Sequence, residues 1–262
     1  MHRSRFARHL CLAVDAKGYG GRDNVSQYDV QRDLPIALAE ASEAAGLDRS
    51  VWWKQPQGDG EIAVLPPGQP EPRVVDDFVR ELDASLALLN HEKRQDVRLR
   101  LRVAIHFGVA YEAPSGFAGD AIVVTARLLA SKELHRALDA SPEADMVVAL
   151  SDRVYADTVL QRHTSLQPSQ FARVEVSEKE YLGPAWIRVL SRSSVPAADR
   201  PAARNQPARK QPARDRPARE QPAGAAPQAG KGAAAFPGVE NNFYGEVRDV
   251  GVIGIRFSEP DW

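Results

Sequence analysis

Two acidic residues stand where chemistry can use them. Asp59 lies between Gly58 and Gly60 in VWWKQPQGDGEIAVL, residues 51–65, and Asp15 closes the apolar run HLCLAV. Asp-Gly between two strand-like segments is a hairpin signal, because the tight turn wants positive φ. A carboxylate at such a tip is exposed and held at a fixed angle. If the two strands share a sheet, Asp15 and Asp59 converge at one end of it. Neighbouring carboxylates repel unless a cation sits between them. Mg²⁺ is commonly held by one or two protein carboxylates plus substrate phosphates. Gly18, Gly20 and Gly21 follow Asp15, and glycines let backbone N–H groups approach a polyphosphate without a clash. Arg127 lies one turn after Val123 on a helical stretch, so the two share a face. An arginine there can stabilise charge on a reacting phosphoryl group. Each residue also has a plainer reading: Asp59 as a turn residue, Asp15 as a strand end, Arg127 as a surface helix residue. Their joint placement favours a nucleotide–metal site.

The elements that must position these groups follow from periodicity. His9–Val14 reads as a first strand, followed by the glycine-rich loop AKGYGGRDN. Val30, Leu34, Ala37, Leu38, Ala41 and Ala45 recur at helical spacing over Gln27–Ala45, with Pro35 as a kink or a start and Gly46 as a stop. Val51–Lys54 and Glu61–Leu65 form the hairpin. Val75, Phe78, Val79, Leu82, Leu86 and Leu89 make the apolar stripe of an amphipathic helix over Val74–Leu89. RLRLRVAIHF, Arg98–Phe107, alternates strictly. Leu99, Leu101, Val103, Ile105 and Phe107 face one way, and Arg98, Arg100, Arg102, Ala104 and His106 the other. That arginine row reads as a solvated face, with phosphate binding as the minority alternative. Gly116–Asp120 reads as a second glycine loop, then a helix from Ala121 to Leu138. MVVAL, a turn capped by Ser151, and closing strands at Phe171–Val176 and Trp186–Leu190 complete a β-α-β-β-α-β-α-β order, an α+β class. His91, His106, His135 and His163 lack ligand spacing and read as structural or exposed. Trp52 and Trp53 read as packing, one of them facing outward from the strand towards a dimer partner.

Composition bounds the rest. The chain has 262 residues and a net charge of −1, so no global field points to nucleic acid. One cysteine, Cys11, excludes an internal disulfide and suits a reducing compartment. No apolar run approaches the roughly 18 residues of a membrane span, and LCLAV is too short for a signal peptide. A cytoplasmic location is expected. Residues 1–193 form the folded domain. From 194 to 235, Ala, Pro, Arg and Gln dominate, with a five-residue repeat QPARK, QPARD, RPARE, QPAGA. Such a segment cannot bury a core and reads as a disordered, extended linker. Residues 236–262 turn apolar again. Within them VGVIGI is uncharged and β-prone, flanked by Arg248, Asp249 and Arg256. The readings for this segment are self-association, strand addition to a partner, or docking back as an edge strand.

Four segments, in order, resemble the class III nucleotidyl cyclase homology domain, the adenylate/guanylate cyclase type. VDAKGYGG resembles its first-strand motif, GDGEIAVL its GDG hairpin, LRLRVAIHFGVA its RIGIHTG strand, and GFAGDAIVVTARLLA its GDAVNLAARL helix entry. The resemblance spans residues 9–190. It implies a ferredoxin-like palm that pairs head to tail, with each site shared by two protomers. By that resemblance Asp15 and Asp59 hold two Mg²⁺ or Mn²⁺ ions. Backbone at Ala16, Gly18 and Tyr19 holds phosphates of a nucleoside triphosphate, and Arg127 of the opposite protomer stabilises the transition state. The family's transition-state Asn falls on Val123, its purine-selecting Lys on Gln55 with Lys54 one position early, and its base-selecting Asp near Gly116. The resemblance therefore implies nucleotide and metal binding, with catalysis in question. The chain is either a cyclase with a rearranged base site or a non-catalytic adaptor. The end segment NNFYGEVRDVGVIGIRF is similar to bacterial amyloid signalling motifs related to the RIP homotypic interaction motif. Asn241, Phe243, Gly245 and Val247 supply the start, and Val252, Ile253 and Gly254 the core. This implies a partner protein with a like motif, and a homodimeric domain with no nucleic-acid or membrane partner.

Overall fold

A strand apolar on both faces needs cover on both, and β1 (Ala7–Ala16) is such a strand. The computed structural model, which describes residues 6–114 and 116–191, sets it inside one mixed sheet. The order along the chain is β1, α1 (Asn24–Ala44), the hairpin β2 (Trp53–Pro56) and β3 (Gly60–Val64), then α2 (Glu71–Arg73) and α3 (Val79–Leu89). The hairpin β4 (Leu101–Ala113) and β5 (Gly116–Ala118) follows, then α4 (Asp120–Ala130) and α5 (Lys132–Asp139). Last come β6 (Ala144–Ser151), α6 (Asp152–Tyr155), β7 (Ala172–Glu178) and β8 (Tyr181–Ser191). The sheet runs β2-β3-β1-β4-β6-β8-β7, with β5 paired to β4. Only the β4–β6 pairing is parallel. The linker and end segment, with Asn241, Phe243, Gly245, Val252, Ile253 and Gly254, lie outside the described residues.

The α+β class expected from the sequence is the observed one, and the period-2 patterns sort the core into two layers. Leu10, Leu12, Val14 and Ala16 of β1 pack with Leu101, Val103 and Ile105 of β4 against α1 and α3. Ala13 and Ala104 pack on the other face against Val124, Leu128, Leu134 and Leu138 of α4 and α5. Burial of both faces is the chief stabilising contribution.

Several boundaries differ from the periodicity, each for a local reason. Helix α1 starts at Asn24, because the Asp23 carboxylate accepts from the Ser26 N–H at 2.7 Å. It runs through Pro35 to Ala44, so Pro35 is not its start. Gly46 ends it in a left-handed turn at φ 66°, with Leu47 N–H donating to Ser42 O at 2.8 Å. Val51 belongs to a 3₁₀ turn, Arg49–Val51, and not to β2. The amphipathic stretch before Leu89 opens on a π-turn, Val74–Phe78. The expected single helix over 121–138 is two. Ser131 breaks it in extended conformation, accepting from Leu134 N–H at 3.4 Å and donating to Leu128 O at 2.7 Å. Gly116–Ala118 is a strand, not a loop. Ser151 takes the N-cap position of α6, but its hydroxyl makes no cap bond and is buried without a partner.

The two tryptophans take opposite faces of the sheet, Trp52 buried and Trp53 half-buried on the edge strand. Trp52 is buried edge-on to Phe78, and Trp53 lies tilted against Phe117 on the opposite layer. Gly116 is held to glycine by Trp53: a Cβ there would sit 2.6 Å from the indole, at a φ of 115°.

Candidate active site

The β1–β3 register sets Asp15 opposite Gly60, and Ala16 N–H donates to Asp59 O at 2.8 Å, one step beyond. The hairpin turn thereby delivers Asp59 to the same rim of the sheet as Asp15. The left-handed residue of that turn is Gly58, at φ 72°. Gly60 serves close approach instead: a Cβ on it would lie 2.3 Å from Val14 O and 3.2 Å from Asp15 Cβ. Burial pushes the Asp15 carboxyl above its ordinary value, and the nearby Asp59 carboxylate adds to that push.

What sequence reasoning missed is the group that opposes this push. Arg102, directly across the β1–β4 ladder, donates from Nε to Asp15 Oδ1 at 2.7 Å and from Nη2 to Oδ2 at 2.9 Å. This two-point fork is the strongest geometry available to a guanidinium and a carboxylate. The Arg102 Nη1 lies 2.7 Å from His135 Nδ1 and 2.8 Å from its Nε2. Burial, and then the Arg102 charge, lower the His135 pKa, which favours the neutral ring, one nitrogen of which can accept from Arg102. His135 is therefore part of the rim, not a bystander. Lys17, just past β1, pairs with Asp139 at the end of α5.

The arginine row is accordingly not a solvated face. Arg98 pairs with Asp145 and donates to Glu143 O at 3.2 Å. Arg100 donates to Ala144 O at 2.8 Å, Leu138 O at 2.8 Å and Ser141 O at 2.6 Å, closing the α5–β6 connection. Only Arg102 of the three turns to the acidic rim. Alternation put the three on one face of an expected strand over Arg98–Phe107; the strand begins at Leu101, and alternation does not say what lies opposite.

The glycine loop leaves the rim in a left-handed turn at Gly18, φ 71°, into the 3₁₀ turn Tyr19–Gly21. A Cβ at Gly18, Gly20 or Gly21 would meet nothing within 4 Å, so this backbone faces open space. Arg22 anchors the loop, donating to Arg98 O at 2.7 Å and Val97 O at 3.1 Å. Ala16 is buried beneath it, and the Tyr19 hydroxyl accepts from Gln31 at 2.5 Å.

Gln55 and Arg127 are not gathered to the rim. Gln55 is exposed on the edge strand β2, opposite Ile62, which in turn pairs with Ala13. That puts it two strands, about 10 Å, from the β1 backbone. Neighbouring Lys54 donates to Arg49 O at 2.8 Å. Arg127 on α4 is engaged by Glu180 in the β7–β8 turn. Val123, one turn before it, is 39% exposed. Burial holds the His106 imidazole down to about 4, so it is neutral at pH 7.

Asp15, Asp59 and Arg102 therefore share one rim of the sheet, beside a glycine loop open to the outside. Among the described residues, no three His, Cys, Asp or Glu side chains cluster to hold a metal ion, and no helix is long and apolar enough to cross a membrane. No protein-family model matches the chain, and no curated protein matches it. Solved structures do. The chain is similar to the adenylate/guanylate cyclase/hydrolase from Silicibacter pomeroyi at 20% identity and TM-score 0.49, over 71% of this chain and 99% of that one. It is similar to the guanylyl cyclase Cya2 at 15% identity and TM-score 0.47, over 70% and 91%. The guanylate cyclase domain of RhGC from Catenaria anguillulae, in complex with GTP, gives 12% identity and TM-score 0.47, over 70% and 96%.

Proposed function

We propose that the domain binds a nucleoside triphosphate together with Mg²⁺ or Mn²⁺ at the Asp15–Asp59 rim, that it pairs with a second copy of itself, and that it turns the nucleotide over slowly or not at all. The observation that carries the reading is the register placing Asp59 beside Ala16 and Asp15 beside Gly60, next to a glycine loop open to the outside. Two carboxylates suit an ion that arrives with phosphates, which complete its shell, better than a resident one. The ion supplies neutralisation of the phosphate charge. For Asp15 to accept it, Arg102 must give up one or both of its bonds. Its guanidinium fork would also suit phosphate oxygens.

Slow turnover follows from the side chains. Val123 offers no hydrogen bond where the resemblance implies an Asn, and one such donor is worth about 3–4 kcal/mol in the transition state. Gln55 carries an amide in place of an ammonium, and Gly116 has no room for a side chain. Equilibrium binding of the four triphosphates with Mn²⁺ is the test, read by calorimetry, with cyclic product followed by mass spectrometry. Micromolar binding that falls at least tenfold in Asp59→Ala, with little cyclic product, is the expected result. Binding indifferent to Asp59→Ala refutes the site, and rapid cyclic product from the parent chain supports instead an active cyclase with a rearranged site.

The proposal extends to the end segment, as an interaction motif carried on the linker. The motivation is its β-prone, uncharged VGVIGI core. The full chain should pellet as thioflavin-positive assemblies, and a chain ending at residue 235 should not. Equal solubility of the two at high concentration discards this part.

A further inference from the structure

Arg127 does not point into solvent. Its Nε and Nη2 both donate to one oxygen, Oε1 of Glu180, at 3.1 and 2.8 Å. The Arg127 side chain is 22% exposed and that of Glu180 59%. The bond from Arg127 holds the Glu180 carboxyl below the usual carboxylate range. Glu180 sits in a two-residue turn, since Glu178 pairs with Tyr181 across β7 and β8. The other turn residue, Lys179, has φ 52°.

Resting on the nucleotide reading above, we infer that Glu180 is a competitor for Arg127, keeping the guanidinium on its own chain until a triphosphate-bearing second copy offers a stronger anion. The geometry suits a contact that can be exchanged. Both donors converge on a single oxygen, so the bidentate match that Arg102 makes with Asp15 is absent here. Exposed pairs of this kind are weak and screened by salt. A triphosphate brings several charges and outcompetes one carboxylate.

The test is Glu180→Gln in the full chain, with triphosphate and Mn²⁺ affinity measured by calorimetry. Removing the competitor should tighten binding by about twofold to fivefold, the range of an exposed ion pair. The gain should vanish in an Arg127→Ala background, which a double-mutant cycle resolves. It should also shrink at roughly 0.5 M salt. Weaker binding in Glu180→Gln would mean that Glu180 positions Arg127 productively, and overturns the inference, as does unchanged binding. A gain that persists without Arg127 reduces the effect to general charge and overturns it as well. Failure of the parent chain to bind any triphosphate is a different result: it removes the nucleotide reading itself, and this inference with it.

Discussion

Gly60→Ala should cost the domain about 3 kcal/mol or more, while Gly58→Ala, two residues away, should cost about 1 kcal/mol. The two glycines do different work in one turn. Gly58 supplies a left-handed φ of 72° with nothing within 4 Å of a Cβ, so alanine there meets only backbone strain. Gly60 lies in β3, where a Cβ would be 2.3 Å from Val14 O and 3.2 Å from Asp15 Cα. Those are backbone atoms of the central strand and cannot swing aside. The hairpin must lift from β1, and Asp59 leaves the rim with it. Urea unfolding should show the stability loss, and triphosphate binding should fall at least tenfold under conditions where the variant is folded. A Gly60→Ala protein within 0.5 kcal/mol of the parent would remove the close approach, and with it the reason for glycine.

Arg102→Met should destabilise the domain by about 3 kcal/mol at pH 7, since it strands one member of a largely buried pair. The loss should depend on pH. Burial already raises the folded-state pKa of Asp15, and the Arg102 bonds and charge are what hold it down. Without them it climbs further. A carboxyl raised on folding contributes stability that is full below its unfolded value of about 3.9 and is lost as pH rises through the folded value. Arg102→Met should therefore lie nearest the parent close to pH 4 and fall behind towards neutrality. Replacing Asp15 by Asn in the same chain should flatten the profile. Mn²⁺ should restore stability to Arg102→Met at pH 7, because the ion replaces the missing charge. Urea midpoints at pH 4.5, 6 and 7.5 would decide it, and a loss independent of pH would show that Arg102 acts through packing alone.

The arginine row shows how far sequence reasoning reaches. Strict alternation predicts Arg98, Arg100 and Arg102 on one face of a strand, but β4 begins at Leu101, so only Arg102 of the three lies in it. Only the fold gives them three different tasks. Arg98 meets a carboxylate on β6, Arg100 the carbonyls that end α5, and Arg102 a carboxylate on β1. A charged row on a strand reads as solvated because burying charge is costly unless it is paired. The partners for this row come from segments about 40 to 90 positions away in the chain. The break at Ser131 was missed for a related reason: apolar spacing continues across it, while the hydroxyl bonds that cap α5 depend on a side chain that helix periodicity ignores.

Local chemistry in the chain was enough to determine the α+β class, most of the long helices and strands, the turn that carries Asp59 and the placement of Asp15 near a strand end. Hydrophobic period and turn residues act over a few positions, and those features need nothing more. Which cation sits on Asp15, why position 60 tolerates no Cβ, and that Arg127 is held by Glu180 were decided by tertiary structure alone. Each is a matter of register between distant strands and turns, and a period states which face a side chain takes without stating what it meets there.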